Sequence, residues 1–224
     1  VSAPILVLTN GRRDCIARTI PSIYEHLDGA GDMVIVDDSG NPDYRAWLAD
    51  TFPDALVTAV APEAAGYWRA MRVVWAIARD SGSPSAVLWE DDFVLNAPVD
   101  LADLQHVLDA HPYLTQISLL RQPWWPNEHE HGGLIGALEA QGQVFEERTD
   151  GQHWWTEHRA CFTGNPSLIP RRTFAHDWPE GAWSESRFGR LLFTEPAARG
   201  AYWGRRSDPP RVEHIGHQRV GRDY

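Results

Sequence analysis

Ser85-Ala86-Val87-Leu88-Trp89-Glu90-Asp91-Asp92-Phe93 is the stretch that decides the fold. A short apolar run, preceded by the turn residues Gly82-Ser83-Pro84 and closed by three consecutive carboxylates, has the form of a buried strand that delivers negative charge at its C-terminal end. In open α/β sheets ligands bind beyond the carboxyl ends of the strands, and hard cations such as Mg²⁺ or Mn²⁺ take oxygen ligands. A solvated acidic turn is the plain alternative, so the surroundings of the run carry weight.

Upstream, Pro4 to Thr9 is an apolar strand followed at once by Asn10-Gly11-Arg12-Arg13. Ile16, Ile20, Ile23 and Leu27 then recur at helical spacing, with Pro21 expected to kink or divide the helix. Met33-Val34-Ile35-Val36 is continuous and β-branched, as in a strand covered on both faces, and it ends in Asp37-Asp38-Ser39-Gly40. Helices near Tyr44 to Thr51 and Tyr67 to Asp80 flank a strand at Ala55 to Val60. Strands alternating with helices predict right-handed βαβ units and a mostly parallel, doubly wound sheet with acidic tips on its second and fourth strands.

Downstream the character changes. A helix at Leu101 to Asp109 and a strand at Thr115 to Leu120 precede a Gly- and Trp-rich region from Pro123 to His158. Short strands are expected there near Leu134 to Ala137 and Val144 to Glu147, with another near Ala160 to Phe162. Such long excursions in a compact domain are usually functional. Thr163-Gly164-Asn165-Pro166 reads as a turn, a helix starts near Pro170, and another opens at Trp183 with Ser184 as its N-cap. Arg211 to Ile215 is strand-like. The alternating Glu128-His129-Glu130-His131 would offer a metal-ligand set on a strand, and reads first as a solvated loop.

The 224 residues predict one α/β domain, with 1–93 and 94–224 as its two halves. A hydrophobic content of 43%, a charged content of 23% and no apolar run near twenty residues predict a globular protein without a membrane span. Cys15 and Cys161 are too far apart in sequence to form a metal motif. Together with a start at Val1 that leads straight into a strand, they fit a cytoplasmic protein without a signal peptide. A net charge of −11 argues against a broad electrostatic grip on nucleic acid or anionic membrane. Of the eleven tryptophans, Trp68 and Trp75 fall on an apolar helical stripe. Trp124, Trp125, Trp154 and Trp155 lie in polar, turn-rich surroundings suited to stacking on a sugar or base.

Four stations in order resemble the GT-A fold of nucleotide-sugar glycosyltransferases, nearest to glycosyltransferase family 2. They are Thr9-Asn10-Gly11-Arg12, Val36-Asp37-Asp38-Ser39-Gly40, Glu90-Asp91-Asp92 at the place of the family's Asp-x-Asp motif, and Glu185 followed by His214. The pattern also resembles small phage-encoded glycosyltransferases, whose site of action is the host cytoplasm.

The resemblance implies a GT-A-like Rossmann-type αβα sandwich and a metal-dependent, inverting transfer of a sugar from a nucleotide diphosphate sugar to an acceptor hydroxyl. Asp37 or Asp38 would take the base or ribose. Thr9, Asn10, Arg12, Arg69, Glu90, Asp91 and Asn165 would make further donor contacts, with Arg219 or Arg222 as additional phosphate partners. Asp92 and His214, or His217 in its place, would hold Mn²⁺ or Mg²⁺. Glu185 would be the general base, with Glu180 and Asp177 as substitutes, although the family's Glu-Asp pair is Glu185-Ser186 here. Trp124, Trp125, Trp154 and Trp155 would form the acceptor platform. The acceptor stays open among a glycan, a protein and a hydroxymethylated DNA base, as does the oligomeric state. A sugar-phosphate nucleotidyltransferase and a non-catalytic carbohydrate-binding module are the competing readings.

Overall fold

A computed structural model describes residues 2–60 and 66–216. The first half contains β1 (Ala3–Thr9), α1 (Arg13–His26), β2 (Leu27–Asp28), β3 (Ala30–Asp37), α2 (Pro42–Thr51), β4 (Leu56–Ala59), α3 (Tyr67–Asp80) and β5 (Ser85–Glu90). There follow β6 (Phe93–Leu95), β7 (Val99–Asp100), α4 (Leu101–Ala110), β8 (Leu114–Ser118), α5 (Pro126–Glu130), α6 (Leu134–Glu139), β9 (Phe145–Thr149) and β10 (Trp154–His158). The chain closes with β11 (Ser167–Pro170), α7 (Arg171–Phe174), α8 (Ser184–Leu192), β12 (Arg199–Trp203) and β13 (Val212–His214).

One nine-stranded sheet runs through both halves in the order β4-β3-β1-β5-β11-β8-β12-β10-β9. The four first-half strands in this sheet, β4, β3, β1 and β5, are parallel to their neighbours, as the alternation with helices requires, while β2 pairs separately with β7. Beyond β5 the sheet is mixed: β11 is antiparallel to both β5 and β8, and β12 runs parallel to β8.

Period-two alternation explains the layers. Ile5, Val7, Ile35, Val87 and Trp89 pack under α1, α2 and α4, whereas Leu6, Leu8, Val34, Val36, Ala86 and Leu88 pack under α3, α7 and α8. Strands apolar on both faces thus produce an αβα sandwich. In the second layer Trp75 meets Phe174, Phe188 and Trp178 at ring separations of 4.8, 5.2 and 4.5 Å. These aromatic contacts, each worth about 0.5–1.5 kcal/mol beyond burial, lock α3 against α8.

Several local expectations are corrected. Pro21 does not divide α1, which is continuous from Arg13 to His26. Pro21 and Ala17 lie on the exposed side, where water can satisfy the carbonyl that loses its partner. Leu134 to Ala137 is helical, because Leu134 and Leu138 are one turn apart and both pack on the small core of Ile135, Phe145 and Tyr202. Ala160 to Phe162 is irregular, and the strand in that region is β11. Ser184 is the first helical residue of α8, whose N-cap is Trp183. Trp68 is only partly buried, packed on the edge of the second core. Among the described residues no helix is long and apolar enough to cross a membrane.

Candidate active site

The three carboxylates after β5 have three different environments. Asp91 is fully buried, accepts a 2.6 Å hydrogen bond from Thr9 Oγ1 and pairs with the Arg12 guanidinium. Burial pushes its pKa up to about 6 against the pull of Arg12. Asp92 accepts from Arg12 Nη1 at 2.6 Å and lies 3.1 Å from His214 Nε2. Burial opposes its ionisation, yet the bonds from His214 and Arg12 prevail and hold it below the usual carboxylate range. Glu90 is driven well above that range, first by burial and then by the Asp92 and Glu185 carboxylates.

The tail reaches this cluster by strand pairing. β13 is antiparallel to β6, with His214 opposite Phe93, and Ile215 N donates to Asp92 O at 2.8 Å. Gln122 clamps the His214 backbone on both sides, donating to its carbonyl and accepting from its N–H, each at 2.9 Å. The imidazole stacks on Phe93 at 4.7 Å and meets Trp124 at 4.1 Å.

Glu185 arrives on α8. Its N-cap, Trp183, has φ 59° and ψ 27° and is the only positive-φ non-glycine among the described residues. Left-handed backbone at a bulky residue stores strain and is commonest at functional sites. Glu185 Oε2 accepts from Gly164 N at 3.2 Å, and Tyr67 Oη is 3.2 Å from both Glu185 Oε2 and Glu90 Oε1. One hydroxyl carries one proton. The Tyr67 hydroxyl is thus shared between two carboxylates, and the Glu185 charge is one of the causes that raise the Glu90 pKa. Gly164 sits in the crook of this trio: a Cβ there would lie 2.5 Å from Glu90 Oε1 and 3.1 Å from Glu185 Oε2.

Arg12, Tyr67, Glu90, Asp92, Glu185 and His214 line one cleft of about 600 Å³, together with Asn165 and Trp183. Trp124 and Trp125 also line it, the latter 49% exposed. The Thr163–Asn165 turn is held by Gln116, whose amide both accepts from Thr163 N and donates to Thr163 O. A more open concavity around Ser2, Asp32, Arg72 and Asp80 shares none of these residues.

Other expected site residues lie elsewhere. Thr9 and Asp37 are buried, Thr9 between Asp91 and Tyr44, and Asp37 accepting from Ser39 N and Arg45 Nε. Their side chains, like that of Asp91, do not line the cleft. Asp38 is half-buried and accepts from Gly66 N, so it braces the start of α3, one residue before Tyr67. Burial raises its pKa, opposed first by the Gly66 N–H bond and then by the Arg69 charge. The Arg69 guanidinium covers the Trp68 ring at 4.4 Å. Asn10, half-buried after β1, is not a lining residue. Trp155 is 2% exposed in the first core and Trp154 packs under Arg205, so the expected four-tryptophan platform is reduced to Trp124 and Trp125. Glu128-His129-Glu130 lies on α5, where Glu128 is buried in a two-pronged pair with Arg121, so the alternating-strand ligand set does not form. Glu180 and Asp177 pair with Arg72 and Arg79 outside the cleft. His217, Arg219 and Arg222 lie outside the described residues.

Tyr67, Gln116 and Gln122 carry the site's geometry but have no motif of their own in the sequence. A polar residue just after a Gly helix cap was the only local sign of Tyr67.

No protein-family model matches the sequence, and neither does any curated protein. Solved structures do match. S. aureus TarS 1–349 superposes with a TM-score of 0.61 at 15% identity, over 96% of this chain and 60% of that one. The fold is GT-A. TarS 1–349 has also been solved in complex with UDP and with UDP-GlcNAc, the latter at a TM-score of 0.60 over 100% of this chain. The chain thus spans about 60% of the length of TarS 1–349. A mycobacterial protein matches at 0.57 and 16% identity, over 93% of this chain and 68% of that one. CMP:2-keto-3-deoxy-manno-octonic acid synthetase with CTP matches at 0.51 and 11%, over 90% and 89%. At these identities the GT-A fold is shared, and residue roles rest on the geometry of this cleft.

Proposed function

We propose that the protein is a metal-dependent glycosyltransferase that moves a sugar from a nucleotide diphosphate sugar to an acceptor hydroxyl, with inversion at the anomeric carbon. The observation that carries this is the meeting of Asp92, His214, Glu90 and Glu185 in one cleft of a GT-A fold. Residues 1–93 form the donor side and residues 94–224 supply the base and the acceptor wall.

The residues present fit a divalent cation. Asp92 Oδ1 and His214 Nδ1 are buried without a hydrogen-bond partner among the described residues, and Asp91 and Asp92 share the Arg12 guanidinium. Asp92 and His214 would hold Mn²⁺ or Mg²⁺, an oxygen-plus-imidazole set that favours Mn²⁺ over Ca²⁺. Such a cation offsets charge on a leaving diphosphate. Arg12, anchored on Asp91 and Asp92, adds a fixed positive charge at the same place.

Glu185 is the base. Its carboxylate lines the cleft and accepts from Gly164 N and from Tyr67, which orient it to take the proton of an acceptor hydroxyl. Asn165 Nδ2, buried without a partner among the described residues at the cleft wall, is placed to donate to a sugar hydroxyl. Trp124, Trp125 and the exposed Trp183 give the acceptor apolar faces to rest on.

Because TarS binds UDP and UDP-GlcNAc, uridine diphosphate sugars are the first donors to test. The protein is mixed with UDP-GlcNAc and related donors, with and without Mn²⁺, and UDP release and thermal shift are read. Metal-dependent stabilisation and donor turnover support the reading; neither with any nucleotide sugar overturns it. The likeness to a CTP-bound synthetase keeps nucleotidyl transfer as the second reading, and pyrophosphate release from a nucleoside triphosphate and a sugar phosphate would establish it.

A further inference from the structure

A second constellation lies away from the cleft. α4 carries Asp103 and His106 one turn apart, hence on one face. The turn between β9 and β10 carries Asp150 and His153. Asp150 Oδ2 lies 2.9 Å from His153 Nδ1 and 3.7 Å from His106 Nε2, and one ligand atom from each of these three residues falls within 4.8 Å of the others. None of them lines the cleft.

We infer that His106, Asp150 and His153 form a binding site for a borderline divalent cation of the Zn²⁺ class, which fastens α4 to the β9–β10 hairpin. In a tetrahedral site with bonds of about 2.0–2.1 Å, neighbouring ligand atoms stand about 3.3 Å apart. The two measured separations bracket that distance. Two imidazoles and one carboxylate select Zn²⁺, Co²⁺ or Ni²⁺ over Mg²⁺ and Ca²⁺, which prefer oxygen. Water would complete the coordination.

The site is built before any ion arrives. Asp150 Oδ1 accepts from Gln152 N at 2.9 Å and from His153 N at 2.6 Å, while Gly151 at φ 95° allows the tight turn. These bonds direct the Oδ2 atom toward the two histidines. With Nδ1 of His153 ligating, its Nε2–H points at Asp103 Oδ1, 3.2 Å away. An outer carboxylate on the far imidazole nitrogen fixes the tautomer that can ligate. His153 is only 9% exposed, and His106 remains accessible for entry. β9 is the edge strand of the sheet, so the ion would bind the outermost hairpin to a helix of the first core.

The site is tested on the whole chain with Co²⁺ and Zn²⁺ alone, without nucleotide. We expect Co²⁺ to give the visible absorption of a tetrahedral centre, and Zn²⁺ at a hundred times Kd to raise Tm by about 5–10 °C. His106→Ala removes an exposed ligand and should abolish both effects. Asp103→Ala should weaken binding about 10–100-fold. Asp92→Asn, in the cleft, should leave the Co²⁺ band in place. A band that survives His106→Ala or disappears in Asp92→Asn overturns the inference, as does the absence of any Zn²⁺-dependent shift in the unmodified protein.

Discussion

His214 Nε2 lies 3.1 Å from Asp92 Oδ2, across 122 residues of sequence, and the β6–β13 pairing holds the two together. If this pair holds the cation, Asp92→Ala should abolish metal-dependent donor turnover while leaving the circular dichroism unchanged. His214→Ala should raise the Mn²⁺ concentration needed for half-maximal activity by at least tenfold. Unchanged Mn²⁺ dependence in both variants would remove the pair from the metal assignment.

Glu185→Gln keeps the shape of the side chain and loses its basicity. Nucleotide-sugar affinity should stay within about twofold, and kcat for transfer should fall by about 10²–10⁴, the range for a lost general base. Equal kcat would move the base elsewhere.

Tyr67→Phe removes the hydroxyl shared by Glu90 and Glu185 but keeps the ring that meets Trp178 edge-on at 6.3 Å. Stability should be nearly unchanged and kcat should fall about tenfold, since Glu185 loses one of the bonds that orient it. A change confined to KM would place Tyr67 on the donor instead.

Gly164→Ala places a methyl group 2.5 Å from Glu90 Oε1. Because the surrounding atoms are carboxylates and a hydroxyl, the fold should survive while the Glu90–Tyr67–Glu185 arrangement is pushed apart. Transfer should drop at least tenfold with little change in Tm. Full activity would show that this geometry is not needed.

Arg121 and Glu128 form a buried fork at 2.6 and 2.8 Å, and Glu128 also accepts from Trp124 N, which fixes the cleft-lining tryptophan loop. Although burial opposes it, the Arg121 bonds hold the Glu128 pKa below its usual 4.5. The sign follows: this stabilisation is complete above about pH 4.5 and is lost as pH falls through the lower folded-state value. Glu128→Gln should cost about 3–5 kcal/mol by stranding Arg121. A fall in Tm of roughly 10 °C at neutral pH, narrowing toward acid, is expected in thermal melts.

Much of the first half was legible in the sequence. β1, β3 and β5 each carry a continuous apolar run, Ile5 to Leu8, Met33 to Val36 and Ala86 to Trp89, which calls for helices on both faces, and α3 begins and ends where its apolar stripe does. The acidic turn after β5 follows from the same run, while its pairing with Arg12 is seen only in the fold. The second half was less legible. The short apolar stretch at Leu134 fits strand and helix alike, and β11 enters the sheet between β5 and β8 through partners far away in sequence.

By itself the sequence determined the layered α/β architecture and the residue types of the site, because hydrophobic periodicity and strand-end carboxylates are local properties. Only the tertiary structure decided which of those residues act together. It enclosed Thr9, Asp37 and Asp91, sent Trp155 into the core, and brought Tyr67, Glu90, Gly164 and Glu185 into contact. The reason is physical: burial and hydrogen-bond partnership are set by packing between segments far apart in sequence, and no local pattern carries that information.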